Sequence, residues 1–281
     1  MNCIFICKLR ITMQCLCILS FRTFGIGEKR FFEMGNAVSI KGNVQIFAVG
    51  GGGFTHEQTS EDNDFMLEDY LLALSSPSPH IGYIGHASND DPDRISAFYA
   101  RFEGVAHTSH LLIEADATAA EAFVADLDIL YVGGGSTIKM ISHWREADIA
   151  PLLIAAGKRG IILSGVSAGA ICWFEQLLVG TAEDGYILTE GLGLVAGSAC
   201  PHYSNESSRK IAYETQIMAG NLLPGVAIDD GVGVLIKDGI VSDIVRAGAG
   251  DAYFVSGCST GIDFPACDVT ALKIGDEISF L

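Results

Sequence analysis

Gly165-Val-Ser-Ala-Gly169 sets one hydroxyl between two glycines. The apolar run Ile161, Ile162 and Leu163 precedes it, and Ala168 to Phe174 reads as the start of a helix. Strand, glycine, serine, glycine, helix is the pattern of the nucleophile elbow, G-x-S-x-G. The sharp turn lifts the serine hydroxyl above the sheet edge, and the glycines let neighbouring backbone come close. The following helix aims its first N–H groups at negative charge developing nearby. The chemistry this points to is attack by Ser167 on a carbonyl carbon. An ordinary tight strand–helix turn uses the same residue types, so the partners of Ser167 must decide.

A serine hydroxyl attacks only when a base takes its proton. Histidine is the usual base, because imidazole titrates near neutrality. Six histidines precede the elbow: His56, His80, His86, His107, His110 and His143. Only His202 follows it, in Ser198-Ala-Cys-Pro-His-Tyr203, where Pro201 restricts the turn. The second ring nitrogen needs an acid. Beyond the elbow the candidate acids are Glu175, Glu183, Asp184, Glu190, Glu206, Asp229 and Asp230. Asp230 is the choice, because Asp229-Asp230-Gly231 ends the apolar run Val226 to Ile228. Catalytic groups converge at such strand ends. Asp229 would then point to the opposite face, and Glu175 would lie on the helix after the elbow.

An oxyanion needs backbone N–H donors. Ala168 follows the serine and supplies one. Gly134 or Gly135 supplies a second, because Tyr131-Val-Gly-Gly-Gly-Ser-Thr137 again reads strand, glycine turn, helix. Such turns also hold phosphates, yet no Walker lysine follows this one. Gly50-Gly-Gly-Gly53 fails the G-x-G-x-x-G pattern, since position 55 is Thr. No cofactor or metal is expected.

These motifs need a scaffold. From Asn43 onward strand-like and helix-like segments alternate. The strands are Val44 to Val49, Ile81 to Ile84, Thr108 to Ile113 and Asp128 to Val132. Between and after them, helical spacing marks 65–74, 92–102, 117–125, 137–145, 149–156 and 207–218. The fold class is α/β, a mostly parallel sheet with helices on both faces. From Gly225 short apolar runs separated by glycine turns predict antiparallel strands near the C-terminus.

The chain has 281 residues, 49% of them hydrophobic, enough for one large core. A net charge of −17 argues against nucleic acid and against an anionic membrane surface. No run reaches the roughly 18 apolar residues of a membrane span. Cys172, Cys200, Cys258 and Cys267 are scattered, without zinc-ligand spacing. They read as buried thiols in a reducing compartment, so the expected location is cytoplasmic. Residues 1–33 differ in texture: Lys8, Arg10, Arg22, Lys29 and Arg30 face only Glu28 and Glu33. They are expected to lie outside the fold, with Met34 as a natural start of a single domain over 34–281.

With these residues in hand, the chain resembles the S51 serine peptidases. The likeness is to the peptidase E (aspartyl dipeptidase) group, to which cyanophycinases are related. The likeness runs from Val44 to Val255. Gly50-Gly-Gly-Gly-Phe54, Tyr131 to Thr137, Gly165 to Gly169 with Ile171 to Glu175, Gly191-Leu-Gly-Leu194, Cys200-Pro-His-Tyr203 and Asp229-Asp-Gly231 carry it. The resemblance implies a class I glutamine amidotransferase-like fold, with Ser167 as nucleophile and His202 as base. The family acid is a Glu, which Asp230 replaces one methylene shorter; Glu183, Asp184 and Glu190 stay open as alternatives. Ser136 stands where the family turn usually continues with Asn, a substrate-binding position. The resemblance further implies a small peptide substrate with an N-terminal aspartate, its carboxylate met by Arg209 or, failing that, Lys210. The order serine, histidine, acid separates this reading from the α/β-hydrolases, which run serine, acid, histidine. Two alternatives stand beside it. One is another hydrolase on the same scaffold, a β-aspartyl or cyanophycin-like peptidase or an esterase. The other is a non-catalytic amidotransferase-like binding module.

Overall fold

The computed structural model describes residues 43–54, 65–257 and 266–278. The expectations for residues 1–33 and for Met34, His56 and Cys258 lie outside them. Lys41–Leu281 forms one compact unit.

In chain order the first half runs β1 (Gln45–Val49), α1 (Met66–Ala73), β2 (His80–Ile84), α2 (Pro92–Phe102), β3 (His107–Leu111), α3 (Ala117–Ala125), β4 (Ile129–Val132), α4 (Thr137–Glu146), α5 (Ala150–Lys158) and β5 (Ile162–Val166). The second half runs α6 (Ala168–Ile171), β6 (Phe174–Thr181), β7 (Gly185–Glu190), β8 (Val195–Pro201), α7 (Ser207–Met218), β9 (Gly225–Ile228), β10 (Val232–Lys237), β11 (Ile240–Arg246), β12 (Ala252–Ser256) and β13 (Asp268–Ala271).

The strands form two sheets, ordered β11-β10-β1-β5-β4-β2-β3 and β13-β12-β9-β8-β6-β7. Strands β1, β5, β4, β2 and β3 are mutually parallel, while β10 and β11 add antiparallel. The period-2 alternation of side chains sorts the first sheet's residues between two apolar layers. Ile46, Ala48, Leu130 and Val132 join Val124, Met140, Trp144 and Leu153 of α3–α5. Phe47, Val49, Ile129 and Tyr131 join Leu71, Phe98 and Phe102 of α1 and α2. Helices therefore cover both faces, and β1, β4 and β5 are largely apolar, with Ser164 of β5 buried and donating its hydroxyl to the Phe47 carbonyl, as a sheet buried on both sides requires. Local chemistry starts the helices where the sequence predicts them. Asp91 caps α2 with Pro92 at its first position, Asp116 caps α3, and Ser136 caps α4. No helix among the described residues is long and apolar enough to cross a membrane.

Two features differ from the sequence reading. The helix after the elbow stops at Ile171, and Phe174 opens a strand instead. The carbonyls of Cys172, Trp173 and Phe174 accept from Leu192, Leu194 and Gly193 N–H at 2.8, 2.8 and 3.1 Å. Those bonds pair residues 172–174 with residues 192–195 in place of a further helical turn. The C-terminal strands also divide. β10 and β11 extend the first sheet, whereas β9, β12 and β13 join β6, β7 and β8 in the second.

The elbow is shaped by close backbone approach. A Cβ on Gly169 would collide with the Val132 carbonyl oxygen, and one on Gly165 would sit 2.5 Å from the same atom. Gly169→Ala should therefore cost about 1–3 kcal/mol, read as a lower urea midpoint at unchanged slope.

Beside the β4 turn, buried His86 joins two elements. Trp144 Nε1 donates to its Nδ1 at 2.9 Å, and its Nε2 donates to the Leu111 carbonyl at 3.1 Å. Burial lowers its pKa below 6.5, only partly offset by Asp90. The folded state thus favours the neutral ring, while the unfolded chain protonates near pH 6.5. Stability should fall as pH drops through and below 6.5, with no loss well above it. Urea midpoints at neutral and mildly acid pH should show a steeper acid loss in the native protein than in His86→Gln.

Candidate active site

Ser167 sits between β5 and α6 with φ 54° and ψ −112°. A positive φ is costly for a serine and persists only where its surroundings over-determine it. Here the Ser167 N–H donates to the Val49 carbonyl at 3.0 Å. Its own carbonyl accepts from Ala170 and Ile171 at 3.0 and 3.1 Å.

His202 follows β8, and Asp230 lies two residues past β9. These strands are parallel neighbours with Pro201 opposite Ile228, so the segments leaving their carboxyl ends emerge side by side. β1 and β5 are likewise parallel neighbours in the first sheet. Ser167 Oγ lies 2.8 Å from His202 Nε2, and His202 Nδ1 lies 2.5 Å from Asp230 Oδ1. An ionised carboxylate only accepts, so the proton belongs on Nδ1. Nε2 is then the acceptor facing the hydroxyl.

The other acids weighed from the sequence stand elsewhere. Asp229 is buried and turned away, accepting from Ser204 N–H at 2.8 Å and Asp251 N–H at 3.0 Å. Glu175 accepts from Gly197 N–H at 3.4 Å, on a strand rather than a helix. Asp184 bonds Thr181 within the β6–β7 turn. Glu206 pairs with Arg209. Glu183 lies in the same turn, and Glu190 ends β7.

Two residues matter here that the sequence reading passed over. Gly51 forms a parallel bridge with Asp230, and its carbonyl accepts from Gly231 N–H at 2.9 Å. A Cβ on Gly51 would run into the Asp230 carboxylate and lie 2.5 Å from His202 Nδ1. Asn205 Oδ1 accepts from Asp230 N–H at 2.9 Å, while Asp229 Oδ1 accepts from Ser204 N–H. Each loop thus lends the other a side-chain oxygen. The signal for Gly51 was the glycine run after β1, which was weighed for nucleotides and as part of the family resemblance but given no place beside His202 and the acid. Asn205 carried no signal beyond being three residues from His202.

A cavity of about 440 Å³ opens beside Ser167. Gly135 and Ala168 line it. The backbone N–H of each donates to no acceptor among the described residues. Gly135 has φ 138°, and a Cβ there would strike the Ala87 carbonyl. Gly134 does not line the cavity; it packs beside Ser167, and its carbonyl accepts from Arg94 Nη1 at 2.7 Å. Ser136 does line it, with Oγ accepting from Lys139 N–H at 3.5 Å as the cap of α4.

Arg209 also lines the cavity and is only 8% exposed. Its Nε donates to Glu206 Oε2 at 2.8 Å and its Nη2 to the Gly180 carbonyl at 3.1 Å. Those bonds use two of the five donors of a guanidinium. Lys210 lies outside the cavity, with Nζ 4.8 Å above the Tyr203 ring.

Known proteins share this architecture. Residues 46–244 match the model of peptidase family S51. An uncharacterized peptidase, YgaJ, of Bacillus subtilis (strain 168) is 36% identical over 217 residues, covering 75% of this chain and 91% of that protein. Peptidase E of Citrobacter koseri is 34% identical over 88 residues, 30% of this chain and 38% of that protein. The solved structure of a peptidase from an acI-B1 actinobacterium superposes with a TM-score of 0.59 at 17% identity, covering 85% of this chain and 98% of its own. A candidate peptidase E from Listeria monocytogenes EGD-e gives 0.55 at 18% identity, covering 73% and 100%. These two structures share the fold. The family match and the Bacillus relative together place the protein: the chain belongs to peptidase family S51.

Proposed function

We propose that this peptidase is a serine exopeptidase that cleaves short peptides through an acyl-enzyme on Ser167. The observation that carries the reading is the continuous line from Ser167 Oγ to His202 Nε2 at 2.8 Å and from His202 Nδ1 to Asp230 at 2.5 Å. As Oγ attacks the scissile carbonyl carbon, His202 Nε2 takes the hydroxyl proton. The carbonyl electron pair moves onto oxygen, where the N–H groups of Ala168 and Gly135 receive it. Collapse restores the carbonyl and breaks the C–N bond, and His202 returns the proton to the leaving amine. Water then attacks the acyl carbon with the same proton transfers in turn, and Ser167 leaves with its hydrogen. Asp230 holds the ring in the required tautomer and stabilises the imidazolium that forms twice.

A cation inside the cavity suits a peptide bearing a side-chain carboxylate. Arg209 has donors left for one, and Lys139 is a second cation on the wall. An N-terminal aspartate is the preference this reading adopts, following the family resemblance. Ser136 contributes a hydroxyl beside the same cavity. The location in this reading is cytoplasmic. Cys172 and Cys200 are free, buried thiols, and burial pushes both pKa values up, which makes them unreactive.

A panel of Asp-Leu, β-Asp-Leu, Ala-Leu and p-nitrophenyl acetate tests the reading. Asp-Leu should be the best substrate, and Ser167→Ala should lower its kcat by at least about 10³-fold. Hydrolysis of Asp-Leu that survives Ser167→Ala would rule the mechanism out. Asp230→Asn should lower kcat by about 10²–10⁴-fold with little change in KM, because the ring loses its orienting acceptor but the cavity is untouched. Steady-state kinetics of the two variants side by side measures both effects.

A further inference from the structure

The peptide unit that joins Gly134 to Gly135 is held from one side by an arginine. Arg94 Nη1 donates to the Gly134 carbonyl at 2.7 Å. The N–H of the same unit belongs to Gly135, which lines the cavity beside Ser167 and donates to no acceptor among the described residues. The unit is trans. In a planar trans peptide the carbonyl and the N–H point in opposite directions. Whatever fixes the Gly134 carbonyl therefore also fixes the direction of the Gly135 N–H.

The sheet brings the arginine there. β2 and β4 are parallel neighbours with Ile84 opposite Val132, so the segments leaving their carboxyl ends run side by side. After β2 the chain enters α2, where Asp91 Oδ1 accepts from the N–H groups of Asp93 and Arg94 at 2.9 and 3.3 Å. Arg94 thus stands in the first turn of a capped helix, within reach of the glycine turn after β4. Three glycines in succession give that turn little stiffness of its own. The units on either side are anchored by backbone: Gly133 N–H donates to the Ile84 carbonyl at 3.0 Å, and Ser136 N–H to the Ala87 carbonyl at 2.8 Å. Between them, the unit of Gly134 and Gly135 takes its hold from Arg94. A bond from a cation is roughly twice as strong as one between neutral groups. Rotating the unit would break that bond and set the guanidinium against an N–H. A donor on the carbonyl also polarises the amide, which strengthens its N–H as a donor. Among the described residues no carboxylate lies within ion-pair distance of Arg94, so its charge acts on this carbonyl.

We propose that Arg94 is a positioning residue for the oxyanion site: by holding the Gly134 carbonyl, its guanidinium keeps the Gly135 N–H turned towards the carbonyl that Ser167 attacks. This rests on the serine peptidase reading above and adds to it a residue outside the cavity, on a different helix from the nucleophile. Arg94 acts through the peptide unit and touches neither substrate nor triad. Its effect belongs to the step in which negative charge gathers on the substrate oxygen, so it should appear in kcat and leave substrate binding alone.

The experiment measures kcat and KM for the native protein, Arg94→Met, Arg94→Ala and Ser167→Ala, with urea midpoints alongside. The substrate is whichever member of the panel above the native protein cleaves fastest. Arg94→Met keeps the aliphatic stem and loses only the donor. Its kcat should fall about 10–100-fold with KM held within about two-fold, less than the loss of an oxyanion donor outright. Millimolar guanidinium ion should restore part of kcat in Arg94→Ala and none in Ser167→Ala. A native kcat in Arg94→Met would overturn the proposal. So would a change in KM that accounts for the whole loss of kcat/KM. A lowered urea midpoint in Arg94→Met, together with no recovery of Arg94→Ala by guanidinium, would make Arg94 a structural prop and overturn it as well. Absence of any Ser167-dependent hydrolysis in the native protein would overturn the catalytic reading, and this proposal with it.

Discussion

One backbone contact ties the two sheets together at the place where the chemistry would occur. Gly51, just past β1 of the first sheet, pairs with Asp230, just past β9 of the second. Gly231 N–H reaches the Gly51 carbonyl, and Gly50 N–H reaches the Val232 carbonyl at 3.0 Å. The chain passes from the second sheet into the first between β9 and β10, so Asp230 lies on the crossing itself. Ser167 follows a strand of the first sheet, and His202 and Asp230 follow strands of the second. Their alignment to within hydrogen-bond distance therefore depends on this crossing being held without a side chain in between. Glycine at position 51 is the physical condition for that, because any Cβ would occupy the space of the Asp230 carboxylate.

Around this contact the strain is local and the support is broad. Ser167 and His202 both hold positive φ, at 54° and 53°. Ser167 is fixed from β1 through Val49, and from below by the approach of Gly165 and Gly169 to Val132. His202 is fixed by the loop exchange of Asn205 and Asp229 with Asp230 and Ser204. The glycine turn after β4 is held from a third side. Ser136 N–H donates to the Ala87 carbonyl at 2.8 Å, and the His86–Trp144 bond fastens that segment to α4. Buried hydrogen bonds of this kind define one arrangement, since leaving any member unpaired is expensive.

The cavity shows how a strongly acidic chain keeps a local preference of its own. The net charge of −17 belongs to the whole surface. Inside the cavity, Arg209 and Lys139 face one acid, Asp184, with aliphatic residues between them. Because Arg209 is almost fully buried, its charge acts in a medium that screens less than water. Its partner Glu206 offsets part of that charge while holding the guanidinium in place.

Much of this was legible in the residues themselves. The apolar runs of β1, β4 and β5, the caps of α2, α3 and α4, and the strand–glycine–serine turn follow from local rules of periodicity, capping and sterics. His202 stood out because no other histidine follows the elbow. Strands β9 and β12 were legible as short apolar runs, but their grouping into a second sheet was not: the residues of β7 are mostly exposed, and the helix signal after Ser167 concealed the start of β6. Pairing with residues 192–194, some twenty positions away, takes the place of a further helical turn at residues 172–174, and no local pattern records such a partner. The residue types of the site were thus set by sequence, because chemistry needs particular side chains at particular turns. Which acid meets His202 was decided by tertiary structure. Asp229 and Asp230 are adjacent and chemically identical, and only the register of β9 against β8 and Gly51 turns one towards the imidazole and buries the other elsewhere.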